Sequence, residues 1–309
     1  CPVRDNLSVE RIKSIYLFRA VRYDIYQNFM QIEQSKNVLK FNRMTNQSML
    51  INKRSKVVID GGELVSYSMN QEEFIHQKGS PGWRNSDTEM FPVIGPTAQN
   101  NFTVPSPKGA SFQDQHGLLR ELPYTLVKFD ETTAVYEKNY KANTSVKNSK
   151  YPEKSNLENV SWPYDFHFQK SFILDENQLI IEFLIESERD MPFMLGYHPA
   201  FLLSGNGKET ISANHQKISL SEIKAGGSKA FPVLDCEEIV LMREREFDLS
   251  IKTKGFGHFM CWTEVNNMLC IEPITQYPYV GKMNFEEHMF NRSKGLNSFS
   301  VCIRPTKKT

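Results

Sequence analysis

From about Ser48 to the carboxyl end, short β-branched runs alternate with polar turns, and that punctuation leaves the chain little choice but to fold as a succession of antiparallel strands. Lys56-Val57-Val58-Ile59 leads into Asp60-Gly61-Gly62 and then into Glu63-Leu64-Val65-Ser66-Tyr67-Ser68-Met69, a hairpin signature. Phe172-Ile173-Leu174, the polar turn Asp175-Glu176-Asn177 and the run from Gln178 to Glu186 repeat the scheme. Further strands are expected near Glu238 to Met242, Phe256 to Thr263, Met268 to Ile271 and Phe299 to Ile303. Helical periodicity is scarcely visible after residue 45, and aromatic residues reach 12%. The expected fold is all-β, a large antiparallel β-sandwich over residues 45–309, in one domain.

Residues 1–44 differ. Val9, Ile12, Ile15, Tyr16, Ala20, Tyr23 and Ile25 recur at three- and four-residue steps between Arg11, Lys13, Arg19 and Arg22. That spacing predicts an amphipathic helix within Val9 to Phe29, in an N-terminal extension that is helical or partly disordered. The first residue is Cys1, which leaves open a later start at Met30, Met44 or Met49, or a processed lipoprotein. The Lys-, Asn- and Ser-rich stretch from Lys138 to Asn159 reads as a solvated surface connection.

Charge narrows the partners. Lys plus Arg number 37 against 36 for Asp plus Glu, a net charge of +1, so no bulk field draws nucleic acid or an anionic membrane. Five cysteines without CxxC or Cys/His ligand spacing read as free thiols in a reducing compartment. No apolar run approaches the roughly 18 residues of a membrane helix. Six Asn-x-Ser/Thr sites, at Asn6, Asn46, Asn101, Asn143, Asn159 and Asn291, read as chance in an Asn-rich chain without a leader. These features predict a cytoplasmic protein, monomer or homodimer, acting on a neutral small molecule or a compact partner.

Three stretches carry titratable groups at strand or turn boundaries. In Met194-Leu195-Gly196-Tyr197-His198-Pro199-Ala200-Phe201, Pro199 forbids the α region to His198 and removes the next backbone donor, so the imidazole is held at an extended position. In Gln115-His116-Gly117-Leu118-Leu119-Arg120, the glycine lets the backbone turn just after the ring. In Leu269-Cys270-Ile271-Glu272-Pro273, an acid ends an apolar strand, where burial can raise its pKa. Two imidazoles and one carboxylate suit general acid–base work if folding brings them together. His76, His167, His215, His258 and His288 lack such settings and read as surface or structural.

Taken together with Met90-Phe91-Pro92-Val93-Ile94-Gly95, these motifs resemble those of the aldose 1-epimerase (galactose mutarotase-like) family, and most closely its branch associated with lactose operons. The resemblance runs from about residue 48 to the end. It implies a sandwich wider than the immunoglobulin type, with sugar lying on the concave face of one sheet. It implies His198 as general acid, Glu272 as general base, and His116 as the histidine near the sugar ring oxygen. Arg84, in Trp83-Arg84-Asn85-Ser86, lies where the family carries a sugar-binding arginine. Arg84 and Arg120 suit bidentate pairing with a sugar phosphate or a structural carboxylate. Tyr197 and Trp262 join the expected substrate contacts, Trp262 with core packing as its other reading. Leu118-Leu119 and Ile274-Thr275-Gln276-Tyr277 depart from the family pattern and are expected to border the pocket. The implied activity is interconversion of the α and β anomers of an aldose or sugar phosphate, for which one acid and one base suffice without a metal or organic cofactor. The alternative is a carbohydrate-binding or regulatory module on the same fold.

Overall fold

A computed structural model describes residues 46–279 and 285–308. The helix expected within Val9 to Phe29 lies outside the described residues. The rest is almost entirely antiparallel β-structure; the α-helix Leu220–Ala225 is two turns at most, closed by a capping box between Ser219 and Glu222.

The nine-stranded sheet runs in the order Gln216–Ser219, Thr210–Ala213, Glu238–Met242, Phe247–Lys254, Leu296–Lys307, Gln178–Ser187, Phe166–Asp175, Thr133–Tyr140, Thr125–Phe129. A six-stranded sheet is ordered Phe231–Val233, His258–Trp262, Met268–Ile274, Gly196–Tyr197, Glu89–Met90, with Ala200–Leu202 pairing a second stretch of Met268–Ile274. A four-stranded meander precedes them, Gln47–Asn52, Ser55–Asp60, Glu63–Met69 and Glu72–Glu73.

The two hairpins expected from turn chemistry are present. Asp60 pairs with Glu63 around Gly61 (φ 55°) and Gly62 (φ 87°), where a two-residue turn needs positive φ. Asp175 pairs with Gln178 around Glu176-Asn177, and the flanking strands extend ten residues each. Met268–Ile274 is longer than expected: it continues through Pro273, so Glu272 lies inside a strand rather than at its end.

The core lies between the two large sheets. Phe183 of the nine-stranded sheet meets Tyr197 of the six-stranded one at 5.1 Å between ring centroids, and Phe168 lies 5.8 Å from Phe91. Each such ring contributes about 1.5–3 kcal/mol through burial. A cation sits in this core: Lys170 is fully buried, its Nζ 2.7 Å from Asp87 Oδ2, 2.6 Å from Glu89 Oε1 and 3.0 Å from the Gly62 carbonyl. Asp87 Oδ2 also accepts a 2.7 Å hydrogen bond from the Tyr197 hydroxyl. A buried charge is tolerated where opposite charges and donors surround it.

The stretch from Lys138 to Asn159 is more than a solvated connection. Lys138 is buried and donates to the Leu119 carbonyl at 2.9 Å. Val146–Lys147 pairs with Asn159–Val160, and the buried Asn148 donates to Asp114 Oδ2 at 2.7 Å. Lys150 Nζ reaches the Gln115 carbonyl at 3.1 Å. Most of the stretch is exposed, as expected of a connection, but Lys138, Asn148 and Lys150 turn to the loop that carries His116, which composition does not mark.

Candidate active site

Register sets the centre of the site. Gly196 pairs with Ile274 and Ala200 pairs with Cys270, so His198 comes directly opposite Glu272. Pro199 has no N–H to give, and its own strand is interrupted there, between Tyr197 and Ala200, while Met268–Ile274 opposite runs on unbroken. On its other side His198 is held by Thr88: His198 N–H donates to the Thr88 carbonyl at 2.8 Å, and Thr88 N–H donates back at 3.3 Å. A Cβ on Gly196 would press on Met90 Cε, the flexible end of a side chain that would have to move aside. The outcome is a His198 Nε2 to Glu272 Oε1 distance of 3.3 Å, with both side chains buried.

Strand alternation separates His198 from its neighbour. Tyr197 points into the core between the sheets, toward Phe183 and Asp87, while His198 points away from that core into a cavity of about 240 Å³. Tyr197, expected to touch substrate, is therefore not among the residues lining this cavity; its hydroxyl joins the Lys170 cluster instead. Had period two been applied to the motif, this was readable.

His116 enters from a loop. Its own φ is 74° and Gly117 follows at 67°, where a Cβ would strike the Phe91 carbonyl oxygen. The His116 N–H and ring Nδ1 both meet the Ile94 carbonyl, at 2.9 and 3.0 Å. Nδ1 thus serves as donor, which leaves Nε2 as the acceptor of the neutral ring. The His116 and His198 rings lie 5.6 Å apart, edge to face.

Aromatic walls complete the cavity. Trp83 stacks on His198 at 4.3 Å and 29°, and Trp262 stands edge-on at 6.5 Å. Gln115, Met260, Glu264 and Tyr279 also line it. Trp262 was expected here; Trp83 was not, although it adjoins Arg84 in the sequence. His76, buried, brings Nε2 within 2.9 Å of the Trp83 carbonyl, a structural role that fixes the stacked ring.

Arg84 and Arg120 face a second, more polar cavity of about 530 Å³, lined also by Asp87, Glu89, Lys138 and Glu121. Arg120 Nε lies 3.7 Å from Glu121 Oε1. Arg84 makes no ion pair among the described residues. Leu118 and Leu119, expected to border the pocket, are fully buried in the main core, since the turn after Gly117 carries them inward. Tyr277 donates to the Lys229 carbonyl at 3.2 Å, tying the chain after Ile274 to a loop whose Ser228 and Ala230 line the first cavity.

Burial dominates the electrostatics. It pushes Glu272 well above the usual carboxylate range. It lowers His198 to about 3, assisted by the positive charge of Arg120. His116 is lowered as well, by burial first and then by His198, Arg120 and Lys150. Burial thus favours a carboxylic acid beside a neutral imidazole over the separated charges, and that form has the same total charge as carboxylate beside imidazolium. One proton belongs to the pair and can reside on either partner.

The sequence model of the family described as aldose 1-epimerase matches residues 51–269, more than half of the chain. The chain is 24% identical over 212 residues to the chromosomal protein LacX of Lactococcus lactis subsp. lactis, over 64% of each, so the match spans less than two thirds of that relative. The plasmid-borne LacX of that organism matches to the same extent. A galactose mutarotase related enzyme from Lactobacillus acidophilus is similar in fold, with a TM-score of 0.66 at 16% identity over 85% of this chain and 98% of that one. A galactose mutarotase-like protein from Lactobacillus casei superposes with a TM-score of 0.69 at 13% identity, over 84% of this chain and all (100%) of that one. With the register of His198 against Glu272, these matches establish that the chain belongs to the aldose 1-epimerase family.

Proposed function

We propose that the protein is an aldose 1-epimerase that interconverts the α and β anomers of an aldohexose by opening and reclosing the sugar ring. One observation carries this reading: a carboxyl group and an imidazole 3.3 Å apart share a cavity with a second imidazole. Sugar hydroxyls that hydrogen-bond to Glu272 favour its ionised form and draw the shared proton onto His198. Glu272 then takes the proton of the anomeric hydroxyl while His198 gives one to the ring oxygen. The bond between the anomeric carbon and the ring oxygen breaks, leaving an open aldehyde. After rotation about the adjacent carbon–carbon bond, the ring hydroxyl attacks the other face and both protons return. The pair ends as it began, so no net proton is consumed. His116 offers its Nε2 near the ring oxygen, and Trp83 and Trp262 give the apolar face of the sugar two aromatic walls.

The second cavity supports a finer reading, in which Arg84 and Arg120 hold a phosphate on the substrate. Loss of one charge-assisted contact costs roughly 1.5–3 kcal/mol. Arg84→Ala should therefore lower kcat/KM for glucose 6-phosphate by roughly tenfold or more while changing that for glucose little. Polarimetry with fresh α-glucose and α-galactose, with anomer-exchange NMR on glucose 6-phosphate, tests both readings. The expected result is equilibration faster than buffer. Sugar binding without acceleration would leave a carbohydrate-binding module and overturn the proposed activity.

A further inference from the structure

The site contains a third potential donor that ring opening does not use. Cys270 lies two residues before Glu272 in Met268–Ile274, so its sulfur emerges on the same sheet face as the carboxylate. Its partner across the ladder is Ala200, and the two pack with Met268 against Trp83 and Trp262, the same rings that wall the cavity beside His198. One ligand atom from each of His198, Cys270 and Glu272 can lie within 4.8 Å of the other two, and all three residues are buried. Nitrogen, sulfur and oxygen donors from three side chains, with the fourth direction toward a cavity, make a set that suits Zn²⁺ or a similar borderline-soft divalent ion.

We infer that His198, Cys270 and Glu272 form an inhibitory site for a divalent transition-metal ion of the zinc type. The ion takes the His198 nitrogen, the Cys270 thiolate and a Glu272 oxygen, and completes its shell with a water or a sugar hydroxyl from the cavity. Binding releases two protons: one from the Cys270 thiol, and the one that His198 and Glu272 share. With both proton-transfer groups ligated, ring opening stops, and metal and aldose chemistry exclude each other at one site. This goes beyond the proposed epimerase reading, because the metal site can be observed without turnover.

Co²⁺ serves as the spectroscopic probe and Zn²⁺ as the inhibitor, each applied to the full chain and to the Cys270→Ser and Cys261→Ser variants. Cys261 pairs with Ile271, so it belongs to the opposite sheet face and serves as the control. Wild type and Cys261→Ser should show a thiolate-to-cobalt charge-transfer band in the near ultraviolet, and Cys270→Ser should lack it. Cys270→Ser should keep basal anomer exchange within about twofold while its Zn²⁺ inhibition constant rises by roughly tenfold or more, since even an outer-sphere change costs that much. Chelation should restore the zinc-inhibited wild type. A cobalt band that survives in Cys270→Ser, no band in wild type, or equal zinc sensitivity of all three proteins would overturn the site. A wild type that shows the band but never exchanges anomers would refute the epimerase reading and leave the metal site standing.

Discussion

His198 and Glu272 reach their 3.3 Å separation inside a space that disfavours charge on either, and this has a thermodynamic consequence as well as a chemical one. Glu272 is raised by burial, so its contribution is fully present below the ordinary carboxylate pKa of about 4.3 and is lost as pH rises through the folded value. His198 is lowered to about 3, so its contribution is present above the ordinary imidazole pKa of about 6.5 and is lost as pH falls toward 3. Glu272→Gln should therefore melt progressively higher relative to wild type as pH is raised from about 4 to 8, an activity site relaxed toward stability. Calorimetry across that range checks it; a gap that does not grow with pH would refute the burial account. The histidines and the glutamate were legible in the sequence because each sits in a short motif with its own backbone constraint. Trp83 was not, since an aromatic beside an arginine carries no local sign that it will stack on a ring 115 positions onward.

Among the elements, the His116 turn is where local sequence and site geometry meet most closely. Its left-handed pair, His116 and Gly117, lets the chain pass against the Phe91 carbonyl and aims the ring at His198. Gly117→Ala adds strain at positive φ and a collision with rigid backbone. It should cost about 2–4 kcal/mol and reduce turnover by displacing His116, as denaturant melts and anomer-exchange rates will show. A variant with native stability and activity would mean that the turn is not what holds the ring. Hairpins such as Asp60 to Glu63 were readable because turn residues and alternation agree. The support from Asn148 and Lys150 was not, because polar composition alone does not mark which few residues of an exposed loop turn inward to bond.

Across the whole molecule, the nine- and six-stranded sheets are joined by apolar packing and by one buried ion cluster. Lys170→Met leaves Asp87 without its cation and Glu89 with only the more distant Lys138, and breaking a buried pair in this way costs about 3–5 kcal/mol. The expected fall in melting temperature is roughly 6–15 °C for a domain of this size; a change below about 2 °C would show that the cluster is not a structural tie. Lys170 looks like a solvated residue inside a strand pattern, and its partner Asp87 is 83 positions away, a relation no periodicity reports. The all-β class, by contrast, followed from alternation and turn chemistry alone, and the sheet register then turned two distant motifs into a facing pair. The most direct test of that facing pair is the anomer-exchange rate of wild type, Glu272→Gln and His198→Asn, measured by NMR on folded protein. The account predicts exchange well above buffer for wild type and a loss of roughly 10²- to 10⁴-fold in each variant with the fold intact; either variant exchanging at the wild-type rate would contradict it.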